Sequence, residues 1–152
     1  MCKIFPPREG WVADCPLDNP DHLDPNRAWN RSLGGRWSQM REMRTGDFFG
    51  LFIGKPRMIN RIRFDVHGDL EKFPKKYLLQ IMRDQYSLWE NIGEYNGIDI
   101  KLSRSKKTVC FRITIIEPTL RPLSFDGKPP AWLIYDIGIT QTRLFGLLKK
   151  TI

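Results

Sequence analysis

Gly54-Lys-Pro-Arg-Met-Ile-Asn-Arg-Ile-Arg-Phe-Asp65 is the stretch on which the fold turns. Ile62, Phe64 and Val66 alternate with Arg61, Arg63 and Asp65, a period of two that puts one face of a strand into a core. Gly54 and Pro56 punctuate its start, and Gly68 and Pro74 close the loop that follows. The reading is a strand over 58–66 with a loop at each end, Arg61 and Arg63 lying on its solvated face.

Working downstream, Tyr77, Leu79 and Ile81 face one way and Leu78, Gln80 and Met82 the other, so a strand with both faces partly apolar is expected in the middle of a sheet. Asp84 to Ser87 reads as a turn, Trp89 to Tyr95 as a returning strand, and Asn96-Gly97 as a two-residue hairpin. Ile98, Ile100 and Leu102 form a half-buried strand; a basic turn, Arg104 to Lys107, leads into the alternation Val109, Phe111, Ile113, Ile115. A long loop, Glu117 to Pro130, precedes the last strand, Trp132 to Thr142.

Upstream, Asp47 to Ile53 reads as a strand, the loop Gln39 to Gly46 precedes it, and Gly34-Gly35 feed a buried aromatic anchor, Trp37. Residues 1–26 are broken by prolines and Asn/Asp turn formers into an irregular arm that packs through Trp11; residues 143–152 form a tail, a short helix or an added strand. Seven or eight short strands with turn signals every 8 to 12 residues and almost no helical period predict one domain over 1–152, an all-β antiparallel β-sandwich of the jelly-roll kind.

Composition narrows the function. Five Trp and nine Phe among 152 residues argue for a packed core, and no apolar run approaches the length of a membrane span. A net charge of +8 favours acidic partners, although the cations alternate with acids, and without an aromatic-basic platform nucleic acid is disfavoured. Cys2, Cys15 and Cys110 have the spacing of neither a disulfide framework nor a zinc site. Asp14, Asp18, Asp21 and Asp24 lack the order of a calcium loop. Nucleophile elbow, phosphate loop and metalloprotease helix are all missing, and His22 and His67 are isolated, so a non-catalytic chain is expected.

The succession of motifs resembles the discoidin, or coagulation factor 5/8 type C, domains and the related family 32 carbohydrate-binding modules of the galactose-binding-like superfamily. It is carried by Ala28-Trp29-Asn30, Arg36-Trp37, Phe52-Ile53-Gly54-Lys55-Pro56, Ile59 to Ile62, Pro74 to Tyr77, Asp84 with Trp89, Cys110-Phe111-Arg112-Ile113 and Trp132 to Ile137, in order over residues 28–140. The resemblance implies a binding module for carbohydrate or a glycoconjugate, an acidic glycan included. The alternatives are a protein partner or an anionic phospholipid surface, as in cell adhesion. Relatives that bind sugar place a His and a Trp after the Trp37 position, and an Arg and an Asn after the isoleucine-rich strand. Here Ser38, Arg41, His67 and Glu71 or Asp69 stand at or near those positions, with Arg44 beside them and Phe125 in the loop before Trp132. These residues depart from a standard galactose site. The family also carries a structural calcium held by backbone carbonyls, an Asp and a Glu; Asn30 and Asp136 stand in those two places, with Arg31 beside them. The alternative is that Asn30 caps its turn and Asp136 bonds local backbone. Location stays open: extracellular for a segment of a secreted parent, intracellular for a chain complete as it stands.

Overall fold

The computed structural model describes residues 3–4, 7–120 and 129–142. Among them are nine strands, β1 (Lys3–Ile4), β2 (Trp11–Asp14), β3 (Trp37–Glu42), β4 (Phe48–Asp65), β5 (Lys76–Met82), β6 (Glu90–Tyr95), β7 (Asp99–Glu117), β8 (Ala131–Ile134) and β9 (Asp136–Thr142). All the pairings are antiparallel. One sheet runs in the order β1-β9-β4-β7-β5-β6, with β2 also paired to β4, and β3 and β8 form a second, two-stranded layer. Its architecture is the all-β sandwich expected from the alternation.

The opening stretch is longer than its punctuation suggests. Gly54 and Pro56 do not end a strand: β4 runs 18 residues without interruption, and the pairing with β7 skips between Phe52 and Arg57 as a bulge. A bulge bends the strand while both halves keep their apolar faces on one core, and Leu51, Ile53, Ile59, Ile62 and Phe64 are all fully buried. Gly54 is required there. Its φ is +88°, and a Cβ would lie 3.0 Å from the Glu9 carbonyl oxygen, where the arm crosses the strand. Arg61 is not merely solvated either, because its guanidinium grips the Asp99 carboxylate at 2.8 and 2.6 Å.

Other boundaries drawn from the sequence take another form. The basic turn at Arg104–Lys107 is a wide bulge inside β7, where Lys101 faces Arg61 and Lys106 faces Ile59, leaving Leu102 to Ser105 opposite Asn60 alone. Asn96-Gly97 is not a hairpin, because β6 and β7 each pair with β5 and not with each other. The chain instead crosses the end of β5, where the Tyr77 hydroxyl donates to the Gly97 carbonyl at 2.6 Å. The last strand breaks at Tyr135 into β8 and β9, which lie in different layers. Of the loop Gln39–Gly46, the first part belongs to β3.

The core between the layers is an aromatic chain. Trp37 packs on Phe49 and Trp132 with ring centroids 5.0 and 5.4 Å apart, and Phe73 links Trp132 to Phe64 at 5.9 and 5.0 Å. Trp37 and Trp132 are the anchors that hold β3 and β8 over the large sheet.

Candidate functional site

Two ends of the sandwich carry the polar groups. At the end where β4 begins, the Gly46 amide donates to the Ile115 carbonyl and the Met43 amide to the Pro130 carbonyl, which brings the segment before β4 against the loop that follows β7. Arg41 lies here. Its Nη1 donates to Asp47 Oδ2 at 2.8 Å and to the Glu42 carbonyl, and its Nη2 reaches Asp47 Oδ1 at 2.9 Å and both Asp18 oxygens at 2.9 and 3.0 Å. The hydrogen bond to Asp47 above all strengthens the hold of Arg41 on its proton, and Arg41 in turn keeps the Asp18 carboxyl below the usual carboxylate range. Ser38 is buried, and its hydroxyl accepts the Met40 amide. Arg44 is exposed, 3.6 Å from Asp18. Of the two loop methionines, Met43 is packed under the loop and Met40, held at φ +60° on the β3 bulge, is half exposed.

The other end is where β4 finishes. His67 stands at φ +50°, its amide donating to Asp65 Oδ1 at 2.9 Å, an arrangement an Asx-type turn enforces. The imidazole lies flat on the Tyr135 ring, centroids 3.6 Å apart and planes 12° from parallel, and its Nε2 is 3.6 Å from Asp65 Oδ2. Beside this stack opens a cleft of about 300 Å³ lined by Arg63, Phe64, Asp65, Ile98, Asp136 and Gly138. Register makes the cleft: Arg63 faces Gly138 and Asp65 faces Asp136 across β4 and β9, so the missing side chain at Gly138 leaves a hollow between charged neighbours. Arg63 donates, the carboxylates accept, and Ile98 supplies an apolar wall.

The candidate residues therefore separate. Arg41 and Arg44 lie at or just beyond the end of β3 where Glu42 faces Ala131, Ser38 faces Leu133 midway along β8, and His67 lies at the Tyr135 end of β8. The chain from Pro130 to Tyr135 is extended and spans roughly 16 Å. The segment after His67 runs back along β8 through the 3₁₀ turn Leu70–Lys72, where Glu71 is exposed, to Phe73, whose carbonyl accepts the Thr119 hydroxyl at 2.5 Å. Phe125 lies outside the described residues.

Tyr135 was not among the residues singled out in the sequence, although a signal for it exists. Trp132 and Ile134 are buried, and so are Ile137 and Ile139; the step of three between Ile134 and Ile137 breaks the period of two and marks a kink that turns Tyr135 outward.

The residues at the expected calcium position do not fit the ion. Asn30 spends its side-chain oxygen on the Ser32 amide and hydroxyl, at 3.1 and 2.6 Å. Asp136 Oδ1 accepts the Ile137 amide at 3.0 Å and Arg8 Nη1 at 2.7 Å. Arg8 also donates to the carbonyls of Trp29 and Ile137, at 2.9 and 2.8 Å. The oxygens that would face a hard cation already face a guanidinium, and Arg31 lies 3.5 Å from Asp136 Oδ2.

No protein-family model matches the sequence, and no curated protein matches it. Among solved structures, the family 32 carbohydrate-binding module of Clostridium perfringens NanJ, solved in complex with galactose, superposes with a TM-score of 0.67 at 12% identity, covering 92% of this chain and 100% of that one. The family 32 module of Streptococcus pneumoniae EndoD does so with a TM-score of 0.64 at 16% identity, over 93% of this chain and 100% of that one. An F5/8 type C domain from Bacteroides fragilis gives 0.67 at 10% identity, over 93% and 98%. The discoidin-like reading of the motifs thus holds at the level of architecture: this chain has the galactose-binding-like fold of the family 32 carbohydrate-binding modules and F5/8 type C domains.

Proposed function

We propose that this domain is a non-catalytic carbohydrate-binding module that takes its glycan at the end of β4, in the cleft flanked by the His67–Tyr135 stack. The observation that carries this reading is the stack itself: two aromatic rings held flat against each other next to a hollow with a guanidinium and two carboxylates on its rim. Sugars present an apolar ring face and a fringe of hydroxyls. An aromatic ring face supports the first, while Asp65, Asp136 and Arg63 accept from and donate to the second. The shared fold with modules solved on galactose supports the same class of ligand.

Affinity electrophoresis or a glycan array on the wild type and on Tyr135→Ala and Arg63→Ala tests it. Each substitution is expected to weaken retention about tenfold, a loss of about 1.4 kcal/mol that is ordinary for one stacking or charged contact. Retention unchanged in both variants removes the ligand from this cleft.

A second reading is favoured by the connection between β5 and β6. There Tyr86 and Leu88 are 87% and 90% exposed, and Arg83 is nearby, an apolar tip with a cation that suits a protein partner or an anionic lipid surface. Sedimentation with phosphatidylserine vesicles that is lost in Leu88→Ser, together with a blank array, would move the function to that tip.

A further inference from the structure

Arg8 joins three segments that are far apart in sequence. It comes from the arm just before β2; its acceptors are the Trp29 carbonyl in the early turn and the Asp136 carboxylate and Ile137 carbonyl at the start of β9. The guanidinium also lies over the Trp11 ring, 5.2 Å from its centroid, and Trp11 meets Trp29 edge to face at 5.8 Å. One planar cation thus bridges two backbone carbonyls and a carboxylate converging from the early turn and the last strand. That is the work a bound calcium does by collecting oxygens from separate segments, performed here by a covalently attached charge.

We infer that Arg8 is a built-in cation that closes the junction of arm, early turn and last strand in place of a metal ion, so that the domain folds and stays closed without calcium. Three observations make the assignment. The carbonyls of Trp29 and Ile137 and Asp136 Oδ1 each accept from Arg8 at 2.7 to 2.9 Å, leaving these oxygens facing a charge that would repel a dication. Asn30, the neutral residue at the place of an acid, has turned its oxygen to Ser32. Arg31 adds a second guanidinium, its Nη2 3.5 Å from Asp136 Oδ2. A lysine could not replace Arg8, because a point charge on a flexible stem cannot present several donors in one plane to acceptors on different sides. The inference stands whether or not the neighbouring cleft takes a glycan.

Thermal unfolding of the wild type, Arg8→Gln and Arg8→Lys, each in EDTA and in millimolar calcium chloride, tests it, alongside equilibrium dialysis of the wild type against radioactive calcium. The wild type is expected to melt at the same temperature in both buffers and to retain no calcium. Arg8→Gln is expected to melt about 5 °C lower in both, with Arg8→Lys between the two. Calcium that raises the wild-type melting temperature, calcium retained on dialysis, or an Arg8→Gln variant that melts like the wild type would overturn it. If Arg8→Gln does not fold, the lysine variant and the wild-type calcium measurements decide.

Discussion

The two ends of the sandwich use similar residues for opposite purposes. Where β4 begins, Arg41 is only 12% exposed and Asp47 10%, and the pair is closed further by Asp18. Where β4 finishes, Arg63 and His67 are exposed, and Arg63 lines a hollow. An arginine whose donors are spent on two carboxylates holds loops together, while one facing an open cleft keeps donors free for something else. Sequence position identifies neither role; the number of acceptors within reach does.

The sharpest way to break that contrast is Arg41→Ala. Removing one partner leaves Asp47 buried without its counter-charge, so urea unfolding is expected to show a loss of about 3 kcal/mol, with glycan retention by the folded protein intact. A variant that keeps its stability and loses retention would instead move the ligand to the closed end. A smaller effect is expected at Arg61 and Asp99, beside the open end. Arg61 holds the Asp99 carboxyl below its usual range, chiefly by hydrogen bonding. The pair is therefore at full strength above pH ~4, where the unfolded carboxylate ionises, and weakens as pH falls through the lower folded value. Unfolding followed from pH 6 down to pH ~3 should lose a small part of its stability through this pair, and Asp99→Asn should flatten that slope. An unchanged slope would show that the pair contributes nothing to acid stability. The smallest effect is chemical. Burial pushes the Cys15 and Cys110 thiols up to about 11, so both should alkylate slowly at neutral pH in the native state and rapidly in urea. Fast native labelling of Cys15, which lies in the arm that carries Asp18 to Arg41, would show that the closed end opens.

Much of the architecture was legible because alternation reports burial directly: Ile62, Phe64 and Val66, or Phe111, Ile113 and Ile115, can only be one face of a strand, and all are buried. Bulges were not legible. Gly54 and Pro56 have the composition of a loop, and only the pairing of β4 with β2, β7 and β9 shows that the strand passes through them. Asn96-Gly97 misled for a related reason: a hairpin signal is local, whereas β7 finds its partner in β4 through Ile100 and Ile62. The site was harder still. His67 could be chosen from its turn, but its stacking partner Tyr135 is brought in by a kink between two layers, and Arg8 meets Asp136 across 128 positions of sequence. No spacing rule reaches that far.

The pairing of β1 with β9 sets Lys3 opposite Thr142, so the first and last described strands lie side by side at one edge of the large sheet. A domain with that geometry can be spliced into a surface loop of a host protein without prising the host's own ends apart, and it then projects from the host as a side-mounted unit. With β4's far end pointing away from the seam, such a unit would present its cleft to the surroundings and keep the joint behind it.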